Sequence, residues 1–120
     1  MKLEEHKLEE KKLIKKAMRG NVKAYGLLME RYQEKLYRTA FLHVKNKEIA
    51  LDMVSETVLR GYEGIKKLRQ PEYFKTWLIR ILLNQITDYF RRSGREISLN
   101  SWEGDDLSVG VQMLSDREQY

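Results

Sequence analysis

The sequence predicts an all-α protein: a compact bundle of about four helices followed by an irregular acidic tail. Three observations predict it. Gly (7) and Pro (1) are scarce in 120 residues, 34% of the side chains are charged, and apolar residues recur at three- and four-residue steps with little strand-like alternation. The length suits one domain around one core. With no cysteine, a disulfide framework, a thiolate metal site and a Cys nucleophile are excluded. Apolar runs are as short as Ile81-Leu82-Leu83, against roughly 20 residues for a spanning helix. The opening residues Met1-Lys2-Leu3-Glu4-Glu5-His6 have no apolar stretch of the secretory type. A cytoplasmic protein without membrane insertion is expected.

Residues 3–18 form the first predicted helix, rich in Lys and Glu, with Leu8, Leu13, Ile14, Ala17 and Met18 as its apolar positions. Gly20 can take a left-handed cap and Asn21 can cap the next helix. The second helix spans 22–44, where Tyr25, Leu28, Met29, Tyr32, Leu36, Ala40, Phe41 and Val44 share one face. Lys45-Asn46-Lys47 breaks the chain. The third helix spans 47–66 with Ile49, Ala50, Met53, Val54, Thr57, Val58, Tyr62 and Ile65 inward; Gly61 and Gly64 weaken its end or permit a close helix contact. Pro71 suits the first turn of a fourth helix that runs to Ser93 and stops at Gly94. Phe74, Trp77, Leu78, Ile81, Leu82, Gln85, Ile86, Tyr89 and Phe90 make its inner stripe. The helical domain is assigned to 1–95, and 96–120 to a linker or tail without sustained period.

Charge is unevenly spread. Residues 1–95 hold 22 bases and 12 acids, while 96–120 hold one base (Arg117) and six acids. A basic body suggests a polyanionic partner. Catalytic constellations are missing. His6 and His43 are the only imidazoles, and His43 is placed where a cation complements the end of the second helix. No HExxH or Walker loop occurs. Asp52 and Glu56 lie four apart, but no further ligand is evident for a metal. No catalytic residue, metal site or cofactor is expected.

Two outward stripes carry more information. On the third helix, Asp52, Ser55, Glu56, Leu59, Arg60 and Glu63 lie opposite the core stripe and suit docking against another helix pair, with Leu59 as anchor. An ordinary solvated face is the plainer reading of the same charges. The loop and fourth helix carry Lys66, Lys67, Arg69, Lys75, Arg80, Arg91, Arg92 and Arg95, with Gln70 and Asn84 able to read base edges. Of the interleaved aromatics, Phe74 and Trp77 fall on the core stripe; Tyr73 falls off it and is the candidate for stacking on a base.

Three segments resemble a known family. Gly20-Asn21 with Ala24-Tyr25, Leu28, Tyr32 and Leu36 is similar to the opening of bacterial extracytoplasmic-function (ECF) sigma factors. Ala50-Leu51-Asp52-Met53-Val54-Ser55-Glu56-Thr57-Val58-Leu59 is similar to their Ala-x-Asp-hydrophobic-Val-Gln-Glu-Thr-Phe-Leu segment. Phe74-Lys75-Thr76-Trp77-Leu78-Ile79-Arg80-Ile81-Leu82-Leu83-Asn84, with Asp88, Arg91 and Arg92, resembles their Phe-x-x-Trp-Leu-x-Arg-Ile-x-x-Asn signature. The resemblance covers roughly residues 11–95 and implies the promoter-melting domain, sigma region 2.

The resemblance assigns roles. It implies that Asp52, Ser55, Glu56, Leu59 and Arg60 dock on the beta-prime clamp helices of RNA polymerase core. Ser55 stands where the family has Gln and Val58 where it has Phe, so docking is weaker or shifted there. It implies that the loop pockets a flipped base of the non-template −10 strand, with Lys67, Arg69, Gln70, Tyr73 and Lys75 as the reading group. Lys66 lies in the same basic stretch, and Arg80, Asn84, Arg91, Arg92 and Arg95 hold phosphates and bases along the fork. An anti-sigma factor is an implied partner. Such factors continue into a domain that reads the −35 element, for which 96–120 are too few and too acidic. An excised domain is the simpler account, a natural single-domain relative the other. An alternative function is a sigma-like bundle that binds polymerase or an anti-sigma factor without melting DNA. A metal-using enzyme built on Asp52 and Glu56 is a weaker third.

Overall fold

In a computed structural model the described residues are 2–93, with side chains described from residue 5; Gly94, Arg95 and the acidic tail lie outside them. Four α-helices are found there and no strand: α1 (Lys2–Met18), α2 (Val22–Val44), α3 (Lys47–Gly64) and α4 (Phe74–Arg92). Between α3 and α4 lie two 3-10 turns, Ile65–Lys67 and Pro71–Tyr73.

The boundaries are set by local chemistry. Gly20 adopts φ +98. Its N–H donates to the Ala17 carbonyl at 3.0 Å, and the Asn21 N–H donates to Lys16 at 3.0 Å, which closes α1 as a Schellman cap. Asn21 then accepts from the Ala24 N–H at 2.9 Å and starts α2. At the next corner Lys45, a non-glycine at φ 52, caps α2, and Asn46 accepts from the Ile49 N–H at 3.0 Å to start α3.

The third helix is shorter than the periodicity predicts. It leaves α-geometry at Gly64 and tightens into the 3-10 turn, with the Leu68 N–H on the Ile65 carbonyl at 3.1 Å. Two glycines in its last turn give the α-form little to hold it there. Pro71 opens the second 3-10 turn rather than α4 itself, and α4 begins at Phe74.

The helices enclose one core. Leu28 and Leu36 of α2, Ala50 and Thr57 of α3, Ile65, and Phe74, Leu78, Leu82, Leu83 and Ile86 of α4 are almost fully buried. Ile79 and Leu83 widen the buried face of α4 beyond the predicted stripe, and Ala24 joins that of α2. Two predicted core residues are corrected: Phe41 and Tyr62 are exposed. Phe41 stacks on Tyr37, and Tyr62 sets its edge against Tyr25.

Polar groups fix the seams. The Thr57 hydroxyl donates to the Met53 carbonyl at 2.7 Å and accepts from Gln85 Nε2 at 2.6 Å, joining α3 to α4. The Tyr25 hydroxyl donates to the Val58 carbonyl at 2.6 Å, joining α2 to α3. A Cβ on Gly61 would stand 2.5 Å from that hydroxyl, so this glycine makes a close helix contact.

Candidate nucleic-acid and protein interfaces

The predicted nucleic-acid residues fall into three groups. Lys66, Lys67, Arg69 and Gln70 are all exposed on the segment that joins α3 to α4. Its 3-10 turns keep it short, and Ile65 and Phe74, only 1% and 0% exposed, pin both ends to the core. The charged side chains are therefore held out on a fixed backbone. Tyr73, 55% exposed, stands at the head of α4.

Glu72 is the one acid among residues 65–75. It is turned onto α1, where Lys11 Nζ meets its carboxylate at 3.0 Å. That hydrogen bond, and the charges of Lys11 and Lys15, hold its carboxyl below the usual range. The outward side of the segment is left to cations and Tyr73.

The second group lies along α4. Arg80, Asn84 and Arg91 come after Tyr73 at helical spacing and share one face away from the core. Arg80 and Asn84 are half-buried rather than free on the surface. Asn84 Oδ1 is shielded from solvent and accepts no hydrogen bond among the described residues. Trp77 lies beside this face, half-buried, with its ring centroid 6.0 Å from that of Phe74.

The third group does not join the others. Lys75 turns toward a cleft between α1 and the Pro71–Tyr73 turn. Arg92 is exposed at the helix end, on another side of α4. Arg95 lies outside the described residues.

The protein-docking stripe of α3 keeps its predicted register. Asp52, Ser55, Leu59 and Arg60 are exposed, Leu59 at 53%, and Glu56 is half-buried. Arg60 Nε donates to Glu56 at 2.9 Å. Leu51 and Tyr62, 46% and 43% exposed, border the stripe and enlarge its apolar part. The exposed Leu51 was legible as an apolar residue off the core stripe; the exposure of Tyr62 was not, because its spacing matches the core.

His43 bears on a further expectation. Burial lowers its pKa, only partly offset by the Thr39 carbonyl 2.9 Å from Nδ1. Burial thus works against the charged ring that the end of α2 would favour. Among the described residues no three His, Cys, Asp or Glu side chains come together as a metal site, and no helix is long and apolar enough to cross a membrane.

Comparison with known proteins adds an independent line. Residues 28–96 match the family model Sigma-70 region 2. The ECF RNA polymerase sigma-E factor of Haemophilus influenzae is 33% identical over 88 residues, covering 73% of this chain and 46% of that protein. The RNA polymerase sigma factor SigV of Bacillus subtilis is 34% identical over 61 residues, covering 51% and 37%. The ECF RNA polymerase sigma factor BldN of Streptomyces coelicolor is 32% identical over 92 residues, covering 76% and 35%. The chain thus spans less than half the length of these relatives. The matched region begins within α2 and takes in α3, the basic segment and α4, so the two candidate surfaces lie inside it, and the chain belongs to the sigma-70 region 2 family of ECF sigma factors.

Proposed function

We propose that this chain is the part of a sigma factor that docks on RNA polymerase core and opens the promoter −10 element. The observation that carries the reading is the short basic segment between α3 and α4, anchored at both ends by buried Ile65 and Phe74. Exposed Lys66, Lys67 and Arg69 flank an exposed Tyr73, and the single acid of the segment is drawn away onto Lys11. Cations there track a phosphate backbone, and an aromatic face stacks on an unpaired base at about 1–3 kcal/mol. Unstacking a base costs a few kcal/mol. Stacking and phosphate contacts together offset that cost, so strand opening requires no nucleotide hydrolysis. The chain acts by binding, in the cytoplasm, and breaks no bond.

Within this reading residues 1–95 form the functional domain and 96–120 a linker. Lys67, Arg69, Gln70, Tyr73 and Lys75 read the non-template strand, and Lys66, Arg80, Asn84, Arg91, Arg92 and Arg95 hold its backbone and bases. Asp52, Ser55, Glu56, Leu59 and Arg60 receive the beta-prime clamp helices. The mixed charges and the exposed Leu59 suit a helical partner with basic residues around an apolar groove. An anti-sigma factor would compete for the same face.

Paired substitutions separate the two surfaces. Asp52→Lys with Glu56→Lys is expected to abolish capture by polymerase core in a pull-down while leaving binding to a single-stranded −10 oligonucleotide within a factor of about two, since ten residues of helix rise, about 15 Å, separate Glu56 from Lys66 against a Debye length of about 8 Å at physiological salt. Arg69→Ala with Tyr73→Ala is expected to do the opposite. If the loop variant still opens promoter DNA with polymerase, the chain is a polymerase-binding bundle whose loop does not read the strand.

A further inference from the structure

Helix α1 carries a charge pattern that the loop and α4 do not explain. Lys7, Lys11 and Lys15 stand four residues apart, and Arg19 continues the register, its N–H still donating to the Lys15 carbonyl at 3.2 Å. All four side chains are exposed. At 1.5 Å rise per residue they form a ridge with one cation every 6 Å or so.

Two acids of the same helix point elsewhere. Glu9 and Glu10 face Arg31 of α2 at 3.9 Å each, and Glu10 also accepts from the Tyr32 hydroxyl at 2.9 Å. Lys7, Lys15 and Arg19 form no salt bridge among the described residues. Four like charges at i, i+4 spacing repel one another by a few tenths of a kcal/mol per pair.

The ridge is continuous with the proposed reading segment. Lys11 is bonded to Glu72, Lys15 acts on the same carboxylate, and Lys66 packs against Gly20. Where α1 meets the Pro71–Tyr73 turn there is a cleft of about 320 Å³. Ile14, Tyr32 and Phe74 line it with Lys7, Lys11 and Lys75, and its two carboxylates are engaged, Glu10 by Tyr32 and Glu72 by Lys11. This explains why Lys75 parts from the other loop cations: it is turned to the α1 side.

We propose that the α1 ridge is a phosphate rail for single-stranded DNA, which takes the backbone of the strand after the loop has captured its base and leads it across the cleft along Lys7, Lys15 and Arg19. The proposal rests on the promoter-opening reading of the loop. The rail binds phosphates and carries no sequence information. Lys11 is not counted in the rail, because its ammonium is bonded to Glu72.

The test is the salt dependence of binding by the full chain, read by fluorescence anisotropy on two oligonucleotides: a short one that fills only the loop, and a longer one that reaches α1. Each lost phosphate contact to a single strand lowers the slope of log K against log salt by about 0.7. The triple variant Lys7→Gln, Lys15→Gln, Arg19→Gln is expected to lower the slope on the longer oligonucleotide by about 2, equally for all sequences, and to leave the short one unchanged. The charge-preserving variant Lys7→Arg, Lys15→Arg, Arg19→Lys is expected to restore the slope. The substituted side chains are exposed, and an unchanged melting curve confirms that the fold is intact.

An unchanged slope in the triple variant, with Arg69→Ala and Tyr73→Ala still weakening both oligonucleotides, would overturn the rail and leave the loop reading standing. An equal loss on both oligonucleotides would also overturn it, because a diffuse charge effect does not depend on strand length. Indifference of both oligonucleotides to the loop variant would instead sink the promoter reading, and the rail with it.

Discussion

Gly61 shows how one absent side chain decides a helix seam. Its missing Cβ leaves room for the Tyr25 hydroxyl, which is fixed by the Val58 carbonyl at 2.6 Å. Gly61→Ala would gain up to about 1 kcal/mol of helix propensity, but it must displace that hydroxyl, and overpacking of this kind costs about 1–3 kcal/mol. A net loss of about 1 kcal/mol is expected, or a melting temperature lower by roughly 4–8 °C for a domain of this size. In a Tyr25→Phe background the hydroxyl is gone and the same substitution is expected to be neutral or stabilising. Equal losses in the two backgrounds would show that the close approach is not what Gly61 serves. At this scale the sequence was legible only in part. It marked Gly61 as a possible close contact but could not name Tyr25, which lies 36 positions away. It read Tyr73 as off the core stripe, where the structure has it. It placed His43 at the end of α2 but not its partial burial, because spacing places a side chain on a helix and does not report how deeply the neighbours cover it.

Among the elements, helix starts were legible because each depends on one side chain acting over three residues. Asn21 and Asn46 both cap as their chemistry predicts. The ends of α3 and the start of α4 were less so. The switch to 3-10 geometry around Ile65 and Pro71 depends on Ile65 and Phe74 being anchored in a core that only the assembled bundle provides. The corner between α2 and α3 also holds a residue at odds with its backbone. Lys45 sits at φ 52, a conformation that costs an L-residue roughly 1–2 kcal/mol. Lys45→Gly removes that strain and adds some unfolded-state entropy. It is expected to raise stability by about 0.5–1 kcal/mol, read as a higher urea midpoint at unchanged slope. A lower midpoint would mean that the Lys45 side chain contributes more at this corner than its backbone costs.

At the scale of the whole molecule, the proposed function divides two tasks between faces. The α3 stripe, with Leu59 exposed between acids and Arg60, would take the protein partner, and the cations of the loop and α4 the nucleic acid. The division was visible in the sequence because both stripes are helical registers, which survive folding unchanged. The α1 ridge, proposed above as a phosphate rail, was not legible as such, although its four-residue spacing was present. Only the Lys11–Glu72 bond and the adjoining cleft join it to the loop. The central claim is that this loop selects an unpaired strand by sequence. It is tested most directly by fluorescence anisotropy of the full chain with a randomised-register set of single-stranded −10 oligonucleotides, against duplex controls, at two salt concentrations. The account predicts preference for one single-stranded sequence, persisting at the higher salt and lost in Arg69→Ala with Tyr73→Ala. Binding that ignores sequence, disappears with salt and is indifferent to those two substitutions would contradict it.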